Sequence, residues 1–235
     1  MNVWQQQWQV VRQRITELAQ QHGREVDQVQ LLAVSKTFPA SAVVAVAQLG
    51  QRDFGENYIQ EGIDKMAQVA ECLPQLSAEL RWHCIGPIQS NKTRLVAEHF
   101  DWVHTLDRLK IAQRLSEQRP AHLPDLQVLL QVNLDGGPNK SGVAPSEVLT
   151  LAQAVQALPR LCLRGLMSIP EPHDDPRVML DLHRQLHQLR VDVGQALGAP
   201  MFNQLSMGMS ADMAPAIEAG STWVRVGTAI FGSRS

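Results

Sequence analysis

The sequence predicts a single-domain (β/α)8 TIM barrel that carries one extra helix in front of its first strand. Eight short apolar segments alternate with helical patterns along 235 residues, which is the order of elements in this fold. The chain shows no linker, low-complexity segment or internal repeat, so we expect one domain over residues 1–235. A doubly wound open sheet is the alternative, but it usually needs fewer strands and a dinucleotide fingerprint, which this sequence lacks.

The predicted strands are short apolar runs bounded by glycine, proline or polar residues. The first run ends at Lys36 and is followed by a Phe38-Pro39 break, and the clearest run extends from Leu126 to Val132. We expect the eight strands within residues 31–37, 52–57, 81–86, 102–104, 126–132, 161–167, 204–206 and 222–226. Consecutive strands that alternate with helices are parallel, so their carboxyl ends should meet at one mouth of the barrel.

The predicted helices are recognised by their apolar spacing and by their first residues. Apolar residues at positions 4, 8, 11, 15 and 18 lie on one face of an N-terminal helix that ends near Gly23. Serines at positions 41, 90 and 210 are expected to cap three helices, and Pro145 stands in the first turn of another. The helices that follow the first are expected at 41–49, 90–99, 107–118, 145–158, 178–197 and 210–219, and residues 227–232 close the chain.

Composition excludes several classes of function. The chain has 21 basic and 23 acidic residues and no run of lysine or arginine, which argues against a nucleic-acid or membrane-surface partner. Three widely spaced cysteines, Cys72, Cys84 and Cys162, are expected to be buried thiols in a reducing compartment rather than a disulfide or a zinc site. Neither a membrane span nor a secretory signal is recognisable, so we expect a cytoplasmic protein.

Lys36 is the first candidate site residue because it stands at the carboxyl end of the first predicted strand. Barrels of this class place their chemistry at that end of the strands. A lysine at the mouth of an apolar cavity is poorly solvated as an ammonium ion, and its neutral amine is a nucleophile toward aldehydes. The alternative is a surface lysine that only caps a strand.

Two segments of small residues follow the seventh and eighth strands, Ser206 to Ser210 and Gly227-Thr228. Glycine lets backbone N–H groups approach an anion, and the loops after these two strands are the usual phosphate site of the fold. The alternative is that the glycines only permit tight turns. Together with Lys36, expected across the mouth, they predict either a pyridoxal 5′-phosphate site or an aldolase that forms a Schiff base with a phosphorylated sugar.

Arg225 lies inside an apolar strand, where it shares a face with Trp223 and precedes Gly227 by two residues. A buried arginine needs a partner, and a carboxylate on the barrel floor is one option. The other is the ring nitrogen of a pyridine cofactor. Arginine does not release its proton, so that nitrogen would stay unprotonated and the cofactor would be a weak electron sink.

Weaker candidates lie elsewhere in the chain. His83 stands near the end of the third strand as a possible acid or base, although a packed histidine is the simpler interpretation. The glycine-rich loop 135–142 has the composition of a phosphate loop without the Walker spacing, and Lys140 within it is a candidate second anion contact. Asp212 and Glu218 are expected on an ordinary helix surface.

Over residues 31–232 the chain closely resembles the YggS/PROSC family of pyridoxal phosphate homeostasis proteins. The motifs that carry the resemblance are LAVSKT at 32–37, FGENYIQE at 54–61, WHCIGPIQSNK at 82–92, NKSG at 139–142, RGLMSIP at 164–170, LSMGMSADM at 205–213 and VRVGTAIFG at 224–232. The resemblance implies a barrel similar to the N-terminal domain of alanine racemase, with pyridoxal 5′-phosphate bound covalently as an internal aldimine on Lys36. It implies that Ser206, Gly208, Gly227 and Thr228 hold the phosphate, that Arg225 faces the pyridine nitrogen, and that Asn57 and Ser168 line the ring pocket.

Two functions of different classes then remain. One is a carrier that binds pyridoxal phosphate and passes it on without turnover, as a monomer whose further partners are pyridoxal-phosphate-dependent apoenzymes. The other is an amino-acid racemase-like enzyme. A two-base racemase needs a second base, which in alanine racemase is a tyrosine of a separate domain that we expect to be absent here. The only tyrosine is Tyr58, which we expect to pack, so the sequence favours the carrier and a site open to water.

Overall fold

The structure, a computed structural model, describes residues 2–136 and 141–232, and within these ranges eight strands form a closed barrel in sequence order. All neighbouring strands are parallel, including the pair β1 and β8 that closes the barrel. The strands are β1 Gln30–Val34, β2 Asp53–Glu56, β3 Arg81–Cys84, β4 Trp102–Leu106, β5 Leu126–Val132, β6 Leu161–Ser168, β7 Gln204–Ser206 and β8 Trp223–Val226. The predicted fold class is confirmed.

Helices follow the strands and cover the outside of the barrel, and α1 precedes β1 as predicted. The helices are α1 Val3–Gln21, α2 Ala40–Ala47, α3 Ile59–Cys72, α4 Thr93–His99, α5 Leu109–Gln118, α6 Val148–Gln156, α7 Pro176–Leu197, α8 Met213–Glu218 and α9 Thr228–Phe231. Helix α1 begins with a capping box in which the Asn2 side chain accepts from the Gln5 amide and the Gln5 side chain accepts from the Asn2 amide. It packs against α2, α8 and α9, and so lies beside the junction of the first and last strands.

Several helix boundaries differ from the sequence prediction. Helix α3 was not predicted, and none of the three serines expected as caps has that role. The N-cap residues of α2, α4 and α8 are Pro39, Lys92 and Asp212, each without a side-chain capping bond. The predicted helices at 90–99 and 145–158 each begin with one 3₁₀ turn, Ser90–Lys92 and Pro145–Glu147. A 3₁₀ turn at a helix start is common. Whether a side chain caps a helix depends on the direction in which the chain enters it, and the apolar pattern does not specify that direction.

The core has two parts. A large apolar layer lies between the strands and the helices, and a smaller cluster fills the inside of the barrel. The members of the inner cluster are Leu32, Val34, Ile85, Trp102, Leu129, Met167 and Trp223. Polar side chains share this interior with them, and His83, His104 and Ser206 are fully buried. These buried polar side chains inside the barrel therefore lie next to the mouth that carries the candidate site residues.

The expectation that all three cysteines are buried is only partly correct. Cys84 is buried, and burial raises the pKa of its thiol to about 12, whereas Cys72 is exposed on α3 and Cys162 is half-buried on β6. No helix within the described ranges is both long enough and apolar enough to cross a membrane.

Candidate functional site

Lys36 lies in a tight turn immediately after β1. The Phe38 amide donates to the Ser35 carbonyl across 3.1 Å, which closes a four-residue turn with Lys36 in its second position. Thr37 in the third position has a φ of +66°, a value that β-branched residues rarely adopt. The side chain of Lys36 is half-buried. Such a strained turn persists only where its surroundings hold it in place.

A buried ion cluster supports this turn from the side of α3. Lys65 donates to Glu56 at 2.7 Å, to Glu61 at 3.1 Å and to the Ser35 carbonyl at 2.7 Å. Glu61 accepts from the Thr37 amide at 2.6 Å, and the Ser35 hydroxyl donates to Glu56 at 2.6 Å. Both neighbours of Lys36 are thus bound to one cluster, which positions the lysine through the backbone on either side of it.

Glu56 is the most deeply buried member of this cluster. Burial raises the pKa of its carboxyl above the ordinary value, although the charge and hydrogen bond of Lys65 and the hydroxyl of Ser35 act in the opposite direction. One of its oxygens, Oε2, is buried with no hydrogen-bond partner among the described residues. The carboxylate therefore depends on Lys65 for its charge to be tolerated at this depth.

The two glycine segments lie on adjacent strand ends, and both glycines make close approaches. Gly208 follows β7 with a φ of +87°, and a Cβ there would clash with the Ala216 Cβ. A Cβ on Gly227 would come within 3.0 Å of the Val34 carbonyl on β1. Thr228 is exposed as the first residue of α9. Because β8 pairs with β1, Gly227 and Thr228 flank the Lys36 turn, which corrects the expectation that they lie across the mouth from it.

Arg225 is 5 % exposed, and it donates to the Ser206 hydroxyl at 2.8 Å and to the Ser168 carbonyl at 2.9 Å. Burial lowers the pKa of its guanidinium to about 10, with the charge of Asp212 acting in the opposite direction. Within the described ranges its hydrogen-bond partners are thus neutral oxygens rather than a carboxylate on the barrel floor. These two bonds use two of the five N–H donors of the guanidinium.

Two predicted site residues, Ser168 and Asn57, carry unsatisfied oxygens, and two, Ser168 and Ser206, bind Arg225. Ser168 is buried at the end of β6, and its hydroxyl has no hydrogen-bond partner within the described ranges. The same holds for the amide oxygen of half-buried Asn57, in the turn after β2. Ser206 differs, because its hydroxyl already binds both Arg225 and His104. An unsatisfied buried oxygen is uncommon in proteins and often marks a ligand position.

Asp212 is not on a helix surface as predicted; it is 9 % exposed and pairs with buried His183 at 2.9 Å. Its other oxygen accepts from the Met209 amide at 2.7 Å and so fixes the residue after Gly208. Burial acts to raise the pKa of the Asp212 carboxyl, but the bonds from His183 and from the Met209 amide outweigh it, so that the pKa is lowered. Glu218 does lie on the surface, where it pairs with Arg184.

The remaining candidates are His83, Tyr58 and Lys140. His83 lies in the middle of β3 inside the barrel, where it packs parallel to Trp102, rather than at the mouth. Tyr58 does not pack; it is 55 % exposed at the start of α3. Lys140 lies outside the described residues, as does the middle of its loop.

Sequence reasoning missed several buried polar residues that the fold places around this site and in the barrel interior. They are Asp53, Glu56, Lys65, His104 and His183, and half-buried Glu61 pairs with Lys65. Lys65 and Glu61 are four residues apart, a spacing typical of exposed helical pairs, which gave no indication of burial. Glu56 and Asp53 flank apolar residues of a short strand, and this was the one indication in the sequence that they are buried.

This mouth brings together four kinds of group: a lysine amine, a buried guanidinium, two unsatisfied oxygens and two glycine segments. The glycine segments can expose backbone N–H groups to an anion, while the amine can bind an aldehyde carbon. The arrangement suits a small planar ligand that carries both a phosphate and an aldehyde.

Comparison with known proteins agrees with this description. The model of the alanine racemase N-terminal domain family matches residues 8–235. The pyridoxal phosphate homeostasis protein of Vibrio cholerae is 56% identical over 98% of this chain and 96% of its own length. That of Escherichia coli is 52% identical over 95% of this chain and 94% of its own length.

Solved structures show the same relation. PipY of Synechococcus elongatus, solved with PLP bound, is 36% identical over 93% of this chain and 100% of its own, with a TM-score of 0.80. Alanine racemase of Corynebacterium glutamicum is 16% identical over 97% of this chain and 62% of its own, with a TM-score of 0.70, a similarity of fold alone.

Proposed function

The chain belongs to the family of the pyridoxal phosphate homeostasis proteins, which have the fold of the alanine racemase N-terminal domain, and from this we propose that it binds pyridoxal 5′-phosphate at the carboxyl-terminal mouth of its barrel. Its function is then the homeostasis of that cofactor. It would hold the cofactor reversibly and release it to cytoplasmic apoenzymes that use it, without a turnover of its own.

The observation that carries this proposal is the environment of Arg225. A guanidinium buried to this degree carries an unbalanced charge unless a ligand or a carboxylate partners it, and its hydrogen-bond partners here are the Ser206 hydroxyl and the Ser168 carbonyl. The unsatisfied Ser168 hydroxyl lies at the end of β6, and the unsatisfied Asn57 amide oxygen lies in the turn after β2. A pyridine ring with polar substituents fits this set of groups.

Each predicted residue has a defined part in the proposal. Bound pyridoxal phosphate supplies an aldehyde carbon to which a lysine amine can attach, and Lys36 is the residue that offers this amine. The backbone at Gly208 and at Gly227-Thr228 would bind the phosphate, with Asp212 fixing the first of these segments through the Met209 amide. The hydroxyl of Ser206 is engaged by Arg225, so Ser206 would act on the ligand through Arg225.

Arg225 also favours binding over catalysis. With a pKa near 10 it keeps its proton at neutral pH, so it would donate a hydrogen bond to a ring nitrogen and leave that nitrogen unprotonated. Such a ring is a weaker electron sink than a protonated one and stabilises a neighbouring carbanion less. Tyr58, the one tyrosine in the chain, is exposed at the rim rather than held against the site.

The test is the visible absorption spectrum of the purified protein with pyridoxal phosphate, before and after borohydride, followed by peptide mapping. We expect an absorption band that borohydride bleaches, with the reduced label on Lys36. Lys36→Ala should lose the label and retain weaker binding through the phosphate contacts. Lys110→Ala, an exposed lysine on α5, is the matched control and should keep the full label.

Three results would contradict the proposal. A label that persists in Lys36→Ala at the same site would assign the attachment to another lysine. Absence of any band after addition of pyridoxal phosphate would reject the cofactor and favour an aldolase that acts on a phosphorylated sugar. Exchange of the α-proton of an amino acid for deuterium, catalysed well above the rate of free cofactor, would reject the carrier role in favour of a racemase-like enzyme.

A further inference from the structure

A line of hydrogen-bonded side chains runs through the inside of the barrel, and it begins at the amino-terminal mouth. Arg81 binds Asp53 with two hydrogen bonds of 2.6 Å, and about half of the Arg81 side chain is exposed to solvent. The Oδ1 atom of Asp53 also binds Nε2 of His83 at 3.0 Å. Because His83 is fully buried, this carboxylate is the link between the solvent-exposed arginine and the barrel interior.

The line continues across the interior to the candidate site. Nδ1 of His83 lies 2.9 Å from Nε2 of His104, and Nδ1 of His104 lies 2.8 Å from the Ser206 hydroxyl. That hydroxyl accepts from Arg225. Strands β4 and β7 are not neighbours in the barrel, so the bond between His104 and Ser206 crosses the space that they enclose. Every member from Asp53 to Arg225 is buried.

Aromatic rings isolate this line from water. The His83 ring is stacked on Trp102, with centroids 5.5 Å apart and planes within 5°, and the Trp223 ring lies 5.0 Å from it. The charged groups that face the two histidines are Asp53, Asp101 and Arg81 at the amino-terminal end and Arg225 at the other. Burial lowers the pKa of His104 well below its ordinary value, and the positive charges of His83, when protonated, and of Arg225 lower it further.

The hydrogen bonds of this line have one consistent direction when both rings are neutral. A carboxylate only accepts, so His83 must carry its proton on Nε2 and present a lone pair on Nδ1. His104 then donates from Nε2 and accepts on Nδ1 from the Ser206 hydroxyl. The Ser206 oxygen keeps its lone pairs for the N–H of Arg225, and every polar atom in the line is satisfied.

A proton added to His83 would reverse this order. His83 would donate from Nδ1, His104 would have to change tautomer, and Ser206 would face two donors while its own proton lost its acceptor. The protonation of the His83 ring, near the amino-terminal mouth, therefore affects the strength of the hydrogen bond that Arg225 donates to Ser206.

We propose that Asp53, His83 and His104 are positioning residues for Arg225, because the carboxylate fixes the tautomers of both histidines and thereby orients the Ser206 hydroxyl that holds the guanidinium. The contact of Arg225 with a ligand rests on the proposed function, whereas the line itself does not. The amino-terminal mouth, which in this fold usually contributes only to stability, is thus coupled to the ligand site through the barrel.

The first measurement is ¹⁵N NMR of the histidine rings in the full chain without ligand at pH 7. We expect His83 and His104 to be neutral, each with its proton on Nε2. A proton on Nδ1 of His104, or a doubly protonated ring at either position, would overturn the proposal. This result does not depend on whether pyridoxal phosphate binds.

The second measurement uses Asp53→Asn, which keeps the shape of the side chain and removes its charge. We expect a mixture of His104 tautomers and an affinity for pyridoxal phosphate about tenfold weaker, the size of one lost hydrogen bond to a charged group. Asp101→Asn is the matched control: it removes a carboxylate from the same end, one that binds the Trp82 amide and lies outside the line. It should keep the tautomers and the affinity of the unmodified chain.

His104→Gln provides a second variant should Asp53→Asn fail to fold. It removes the ring nitrogen that accepts from Ser206, and we again expect weaker binding with a changed Arg225 side-chain N–H spectrum. If Asp53→Asn or His104→Gln folds and leaves both the affinity and the Arg225 spectrum unchanged, the positioning role is wrong. If the unmodified chain shows the expected tautomers but binds no pyridoxal phosphate, the proposed function fails and the coupling between Asp53 and Arg225 stands.

Discussion

Replacement of Lys65 by methionine tests how the turn that carries Lys36 is held. Methionine preserves most of the length and volume of the side chain but removes its charge and its three hydrogen bonds, to Glu56, Glu61 and the Ser35 carbonyl. The Glu56 carboxylate, with 0 % of its side chain exposed, then remains buried without a counter-charge.

The expected loss of unfolding free energy is about 3–5 kcal/mol, the range measured when one partner of a buried ion pair is removed. This is a large share of the stability of a typical domain, which is about 5–15 kcal/mol. Most of the loss comes from the stranded carboxylate rather than from the missing bonds. The double variant Lys65→Met/Glu56→Gln, which removes both charges, should therefore recover all but about 1–2 kcal/mol.

The loss should also depend on pH. Burial already raises the pKa of Glu56, and removal of Lys65 takes away the main opposing influence. A carboxyl whose pKa is higher in the folded than in the unfolded state loses stability as pH rises from the unfolded value through the folded value. The deficit of Lys65→Met should thus be smallest below the ordinary carboxyl pKa of about 4.3 and grow toward neutral pH.

Urea unfolding followed by tryptophan fluorescence measures these free energies, since Trp82, Trp102 and Trp223 are buried. Lys110→Met, on the exposed face of α5, is the control and should change stability by less than about 0.5 kcal/mol. A loss below about 1 kcal/mol in Lys65→Met, or a double variant no more stable than the single one, would refute the reasoning. In the double variant, pyridoxal phosphate should bind more weakly than in Lys110→Met, because the Ser35 carbonyl beside Lys36 has lost a donor.

Three further predictions concern the rest of the site. Gly208→Ala should lower stability by about 1–3 kcal/mol and weaken binding of inorganic phosphate, because its Cβ would clash with the Ala216 side chain in a backbone with positive φ. Urea unfolding and phosphate titration check this, and unchanged values in both would contradict it. Asp212→Asn should lower stability at neutral pH, and its difference from the unmodified chain should shrink as pH falls from about 4 toward the lower pKa of the folded state, because a carboxyl with a depressed pKa loses its contribution over that range. Thermal unfolding from pH 3 to 7 checks this, and a difference that stays constant with pH would contradict it. The unmodified chain and Tyr58→Phe should both exchange the alanine α-proton for deuterium no faster than free pyridoxal phosphate does, as measured by NMR. A faster exchange in the unmodified chain that Tyr58→Phe abolishes would contradict this and is the result expected of an enzyme.

The sequence predicted the barrel because the signals of its strands are local. Strands β5 and β7 begin and end at the predicted residues, and the other six overlap their predicted ranges. An apolar run between polar or glycine boundaries is buried whatever surrounds it, and eight such runs that alternate with helices have few ways to pack. The position of Lys36 after β1 and of the glycine segments after β7 and β8 followed from the same pattern.

What only the tertiary structure decided is which polar side chains meet. Lys65 and Glu56 are brought together when α3 packs on β2, and His104 meets Ser206 only because closure of the barrel lets side chains of β4 and β7 meet across its interior. The residues around Asp212 in the sequence are those of a helix surface, but in the structure Asp212 is buried, where it pairs with His183 of α7. The apolar period of a segment determines which side faces the core, but the partner of a buried polar group depends on strand register and closure, which involve residues far apart in the chain.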